Sequence, residues 1–296
     1  CALWGSAFPC IKVGYRLFQI DSADTATQIL FAGCRFTIAG IMVILFGSIL
    51  QGRFLKAGKG DLPRIGKICL LQTVVQYFFF YVGLAHTTGV KGSIVEASNV
   101  FLAILVSSLI FHQEKLDQKK VLGCIVGFAG VVLINLSGSN VDMSFNLTGD
   151  GFIFISAIAY ALSSVLIKKY SAKSDPVMLS GYQFTAGGLV MILIGFLMGG
   201  RIHTASMPAM ILLIYMALIS AVAYTLWGIL LKYNPVSKVS IFGFTNPVFG
   251  VILSAIILRE GNVFGMKDLI ALVLVSIGIL IVNWAKPVGE KEKGMN

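Results

Sequence analysis

Ten apolar runs of helical length, separated by short polar gaps, leave this 296-residue chain few ways to fold. They cover residues 1–18, 25–50, 65–86, 92–112, 119–137, 149–170, 176–199, 208–232, 237–258 and 267–285. A bilayer core requires about 20 apolar residues per helix. Inside lipid every backbone N–H and C=O must find its partner within the segment, so such runs become helices. A transmembrane barrel would show stretches of about ten residues with alternating polarity, and none is present. The gaps are rich in Gly, Pro, Asn, Asp and Ser, and none could hold a soluble domain. The expected fold class is an all-α integral membrane protein with ten transmembrane helices.

Charge agrees with this reading. Only 12% of residues are charged, half the ~25% of soluble domains. The net charge is +10, but its placement argues against nucleic acid, since no basic stripe with interleaved aromatics occurs. Lys and Arg crowd alternate gaps: Arg53 to Lys67, Lys115 to Lys120, Lys168 to Lys173, Lys232 with Lys238, and Lys286 to Lys293. That is sixteen on one side, against Lys91, Arg201, Arg259 and Lys267 on the other. The positive-inside rule then places both termini in the cytoplasm, and the expected location is a bacterial plasma membrane. The five cysteines lie in or beside apolar runs without metal-ligand spacing and read as buried free thiols. No metal or cofactor is expected. The chain opens inside an apolar segment, so the first helix is expected to lack its first turn or two.

An internal repeat follows. Gly33-Cys-Arg-Phe-Thr-Ile-Ala-Gly40 matches Gly181-Tyr-Gln-Phe-Thr-Ala-Gly-Gly188 at an offset of 148. Gly130 matches Gly278 and Asn135 matches Asn283 at the same offset, with Asn99 near Asn246 and Glu114 near Glu260 one or two residues short of it. The boundaries read as a first five-helix repeat over 1–137, an external linker over 138–148, a second repeat over 149–285 and a cytoplasmic tail over 286–296. With five helices each, the second repeat must run through the bilayer upside-down, enclosing a central cavity.

At this point the chain resembles the drug/metabolite transporter superfamily, EamA type. The carrying residues are Trp4-Gly-Ser-Ala-Phe-Pro9, Arg35-Phe36, Phe111-His-Gln-Glu-Lys-Leu116, the Gly123 to Gly130 stretch, and Asn246-Pro247 leading to Glu260. The resemblance implies ten helices in two inverted repeats and transport of metabolites or amino acids, often outward. One departure stands out. The family has a Pro in both helix four and helix nine; here Pro247 is present, but its partner position is Val100 or Phe101. A symmetric pair of broken helices is therefore not expected.

Ionisable groups inside a membrane are expensive and face wet or protein-lined interiors. Three read as deep: Lys12, Arg35 and Glu96. Lys12 either snorkels outward or lines the cavity. Arg35 lies near mid-bilayer, for packing or for ligand. Glu96, three residues before Asn99, shares a helix face with it. It is the proton-coupling candidate, or else a carboxylate at the outer boundary or paired with Arg35 or Lys12. Polar and aromatic candidates for the cavity wall are Trp4, Gln72, Gln76, Tyr77, Tyr81, Tyr160, Ser163, Ser164, Tyr224, Trp227, Thr245 and Asn246. Interface belts and helix-to-helix ties are the competing readings. Gly243 and Pro247 form a candidate hinge, since a mid-helix Pro frees a carbonyl one turn earlier. Gly123-x-x-x-Gly127 and Gly195-x-x-x-Gly199 allow close helix packing within the chain, with a monomer or weak homodimer expected. Asn146-Leu-Thr148 fits a glycosylation acceptor.

The function class that fits is a secondary transporter, an exporter of amino acids or related metabolites with protons as a coupling ion. Export of cationic drugs or nucleoside-like metabolites is the alternative. No P-loop is present for ATP. A membrane enzyme fits poorly, because GxSxG and HExxH motifs are missing; a non-transporting membrane protein stays as a third class.

Overall fold

A computed structural model describes residues 1–21, 23–87, 89–136, 146–202, 206–246, 248–249, 252–253 and 266–284. In chain order its helices are α1 (Ala2–Leu17), α2 (Thr25–Leu50), α3 (Leu62–Ile68), α4 (Gln76–Leu84), α5 (Gly89–Glu96), α6 (Asn99–Leu105), α7 (Gln118–Leu136), α8 (Phe152–Ser171), α9 (Pro176–Leu197), α10 (Met207–Tyr233), α11 (Val236–Ser240) and α12 (Met266–Trp284). Wider π-helical turns join α3 to α4 (Cys69–Val75), extend α6 (Val106–Ile110) and lead into α8 (Leu147–Gly151). No strand occurs among the described residues. Among the described residues five stretches are long and apolar enough to cross a membrane: Thr25–Leu50, Leu62–Leu84, Leu147–Ser171, Pro176–Leu197 and Met207–Tyr233. Ile94–Ile110 and Leu269–Trp284 are shorter apolar helices.

Helix starts follow local chemistry. Asp24 accepts from Thr27 N, Asp175 from Val177 N with Pro176 in the first turn, and Ser206 from Ala209 N. Each satisfies a backbone donor that the helix leaves orphaned. Asn146 does the same before α8 and also donates to the His86 carbonyl at 3.0 Å. The glycosylation triplet thus has its asparagine occupied as a helix cap.

Large apolar side chains point outward, among them Leu45, Phe46, Ile49 and Leu50 on α2 and Leu193, Phe196 and Leu197 on α9. Between the helices sit small residues instead. A Cβ added to Gly33 would lie 2.6 Å from Ile192 N and 2.9 Å from the Gly188 carbonyl oxygen; one on Gly40 would lie 2.6 Å from the Gly181 carbonyl oxygen. Helices α2 and α9 therefore cross antiparallel with backbones in contact. The same holds for α7 and α12, where Gly123 abuts Gly278 and Gly130 abuts Ala271. The Gly123-x-x-x-Gly127 pattern packs within the chain, as expected. In lipid, where apolar burial gives no drive, such close approach holds helices together.

Helix four departs from expectation. It breaks at Ala97 and Ser98, between α5 and α6, without a proline. The chain tightens there through Ser98 N to Val95 O and Val100 N to Ala97 O. In helix nine the chain tightens over Ile241–Phe244, a 3₁₀ turn. At the repeat offset of 147 that turn corresponds to residues 94–97. Both runs are thus interrupted, and the missing proline does not remove the break in the first. Short i→i+3 turns inside longer helices mark hinges. Gly243 lies in one of them; Pro247 lies outside the described residues.

At the basic side, Glu114 ties distant segments. It accepts from Ser237 N at 2.9 Å, from the Ser237 hydroxyl, and from Lys120 Nζ at 2.7 Å. Burial pushes this carboxyl up, but the bonds from Lys120 and Ser237 outweigh burial and hold it below the usual glutamate range. Nearby, Ser174 donates to Asp61 at 2.6 Å, which lowers the Asp61 carboxyl with help from Gly58 N and Arg64.

Two outcomes are expected. Gly33→Leu forces overpacking of backbone against backbone, costing about 1–3 kcal/mol or more, whereas Gly66→Ala, with nothing within 4 Å, holds or raises the melting temperature. A thermal scan in detergent compares them. Because Glu114 titrates lower when folded, its stabilisation is present above its unfolded pKa and is lost as pH falls through the folded one. Melting temperature against pH should drop on acidification in the native chain and flatten in Glu114→Gln; parallel curves would contradict the tie.

Candidate functional site

Arg35 sits near the middle of α2 and is 4% exposed. Its guanidinium Cζ lies 4.5 Å from the Phe36 ring centroid and 5.9 Å from that of Tyr77. Four tyrosines lie within its electrostatic reach: Tyr81 and Tyr77 from α4, Tyr224 from α10 and Tyr15 from α1. Among the described residues no carboxylate pairs with Arg35, and its Nε has no hydrogen-bond acceptor.

Aromatic contacts knit these helices together. Trp4 on α1 meets the edges of Tyr224 and Trp227, each at 4.9 Å between centroids. Phe36 and Phe184 stack with an interplanar angle of 6° at 5.3 Å. Phe184 also meets Tyr224 at 4.9 Å. The hydroxyls of Tyr77 and Tyr224 bond to each other, linking α4 with α10. The rings expected to line an open hollow therefore pack on one another.

A second ionisable group lies near Tyr224. Glu96, at the end of α5, lies within electrostatic reach of both Tyr224 and Tyr160. Its Oε1 accepts from Asn99 Nδ2 at 3.4 Å across the break, so the Glu96–Asn99 pair holds although the helix does not continue between them. Its Oε2 is buried without a partner. Tyr224 feels Arg35 and Glu96 together, and among the described residues these two form no ion pair.

Among the described residues, buried polar atoms without a hydrogen-bond partner include Trp4 Nε1, Arg35 Nε, Gln72 Nε2, Gln76 Oε1, Glu96 Oε2, Ser164 Oγ, Trp227 Nε1 and Asn246 Oδ1 of the expected set, and others outside it, such as those on Ser107, Gln113 and Ser240. Each such atom costs about 1–3 kcal/mol, and native proteins keep few of them outside functional sites.

Residues 1–136 and 147–284 match the EamA-like transporter family. The chain belongs to this family. It is similar to a WAT1-related chloroplastic protein of Arabidopsis thaliana, 25% identical over 95% of this chain and 67% of that one. An uncharacterized transporter of Archaeoglobus fulgidus is 26% identical, over 94% of each chain. One of Methanothermobacter thermautotrophicus is 30% identical over 73% of this chain and 62% of its own length. A crystal structure shares the fold at a TM-score of 0.77 and 16% identity, covering 95% of this chain and 94% of that one. Together with its apolar helices, family membership makes this a membrane transporter protein.

Other members of the expected set sit elsewhere in this EamA-family chain. Lys12, read as deep, is exposed on α1, because its helix turns it away from the packed interior. Gln72 is engaged in packing: Gln183 Nε2 donates to its Oε1 at 3.0 Å, and Thr73 donates to Gln183 Oε1 at 2.7 Å. Ser163 donates to the Tyr160 carbonyl and Thr245 to the Phe242 carbonyl, both local helix bonds. Two clefts lie away from the cluster: one of about 510 Å³ beside Gln51, Arg53, Asp175 and Lys232, the other of about 410 Å³ along Leu116, Val121, Leu122 and Ile125. Tyr15 escaped the sequence reading. It lies three turns after Trp4 on the same face of α1, a spacing that would have found it.

Proposed function

We propose that this protein is a secondary transporter exporting small organic metabolites, amino acids foremost, by alternating access between two inverted five-helix repeats over 1–137 and 149–285. One observation carries the reading: residues related by the repeat meet their own counterparts beside the buried charges. Phe36 stacks on Phe184, at an offset of 148. Tyr77 bonds to Tyr224, at an offset of 147. The Gly33–Gly188 contact exchanges with Gly40–Gly181, and Gly130–Ala271 with Gly123–Gly278. A two-fold axis requires this: residues on it touch their mates, and off-axis contacts come in exchanged couples. Five helices per unit put such an axis in the membrane plane.

The structure then corresponds to a closed state. Rocking the halves about the tightened turns of helices four and nine parts Tyr77 from Tyr224 and uncovers the polar atoms around Arg35 and Glu96. Glu96 exchanges the coupling proton. Both termini face the cytoplasm, the side with the excess of Lys and Arg.

Uptake of a panel of amino acids and amines into proteoliposomes at two pH values tests the reading. The native protein should move at least one solute with a pH-dependent rate, and Glu96→Gln should lose that pH dependence. Native rates and native pH dependence in the variant would remove Glu96 from the coupling role. For the topology, cysteine labelling at positions 139 and 173 should report opposite faces of the bilayer; labelling from one face contradicts the inverted arrangement.

A further inference from the structure

The repeat supplies an internal control for Arg35. Its counterpart in the second half is Gln183, within the matching Gly-x-x-Phe-Thr stretches of α2 and α9. Gln183 is fully buried and spends its amide on Gln72 and Thr73. A neutral side chain bonded to its neighbours thus satisfies the packing demand at that position. Arg35 does something different at the equivalent place. It brings a permanent charge to the same crossing and is not paired by any carboxylate among the described residues. The Phe36 and Tyr77 rings cover its guanidinium, but cation–π contact offsets only part of what burial of a charge costs. Phenols stay neutral near pH 7, so the surrounding tyrosines supply no counter-charge. What they supply is hydroxyls, which donate to an anion as readily as to one another.

We propose that Arg35 is the anion anchor of this site: the solute carried by the protein presents a carboxylate, or another anionic oxygen group of like geometry, to the guanidinium beside Tyr77 and near Tyr15, Tyr81 and Tyr224. The inference rests on the transport reading and narrows it. A guanidinium offers a planar fork that meets two oxygens at once. Tyr77 and Tyr224, which hold each other in the closed structure, turn their hydroxyls to the same group when they part. Glu96, which also reaches Tyr224, suits an amine on the solute but does not require one. Purely cationic solutes are excluded, because they would meet an unpaired cation at mid-depth.

Binding to the purified protein in nanodiscs, read by thermal shift and by isothermal titration, tests this apart from transport. The probes are α-amino acids, their amides, the corresponding decarboxylated amines, short organic phosphates and sulfonates, and chloride and sulfate as inorganic controls. Anion-bearing organic members should bind, while the matched amides and amines should not. Arg35→Gln, the side chain its counterpart already carries, should weaken binding about 100-fold, as loss of one partner of a buried charged contact does, and Arg35→Lys should recover part of it. Circular dichroism and elution profile establish that the variants are folded. Equal binding of amides or amines, undiminished binding in a folded Arg35→Gln, saturation by inorganic anions alone, or no binding by any acid of the panel overturns the assignment; should the variant not fold, the acid-against-amide comparison on the native protein decides it. An acid that binds through Arg35 yet never crosses the liposome membrane would leave the anchor standing and remove the transport reading instead.

Discussion

The crossing of α2 and α9 at their glycines organises everything around it. With hydrogen in place of a side chain at Gly33, Gly40, Gly181 and Gly188, the two backbones touch. Lipid offers no hydrophobic drive for helix association, so contact at this range supplies the adhesion. The crossing also sets position. Phe36 and Phe184 follow the first glycine of each stretch by three residues and are brought face to face. Arg35 and Gln183 are carried into the interior beside them. A larger residue at either glycine would part the helices, and the stacked pair and the buried cation would lose their setting together.

From that crossing outward the interior grades from packing to chemistry. The Gln72–Gln183–Thr73 chain, in which Gln183 uses both ends of its amide, holds the π-helical turn against α9. The aromatic contacts of Trp4, Tyr224 and Trp227 join α1 to α10. Between these stand Arg35 and Glu96, each with an unpartnered atom. A molecule built for stability alone would replace both by apolar residues, since buried ionic groups rarely repay their desolvation. Their burial beside the paired aromatics, in a chain of the EamA-like transporter family, is the physical ground for proposing that the solute sits there. The polar ties around Glu114 and Asp61 lie outside the lipid, where water and paired charges keep the same residue types inexpensive.

Much of the helical layout was legible beforehand because lipid enforces it. The expected runs 25–50 and 119–137 emerge as Thr25–Leu50 and Gln118–Leu136, bounded by caps and polar gaps that act locally. The Arg35 position and the tyrosines of α4 and α10 were readable as deep and polar. The break between Glu96 and Asn99 was not, because it has no proline and rests on two short backbone bonds. Lys12 left two readings open, outward or toward the cavity, since hydropathy reports depth along a helix and says nothing of the direction a side chain faces.

The sequence by itself determined that the chain is helical and membrane-embedded, because backbone hydrogen bonding in hydrocarbon admits no other use of such runs. Only the tertiary structure decided which counterparts touch. Phe36 against Phe184 and Tyr77 against Tyr224 are contacts between residues nearly 150 positions apart, fixed by how closely glycines let two helices approach. The same approach decided that, among the described residues, Gln183 is hydrogen-bonded and Arg35 pairs with no carboxylate, a difference in surroundings that no spacing of residues encodes.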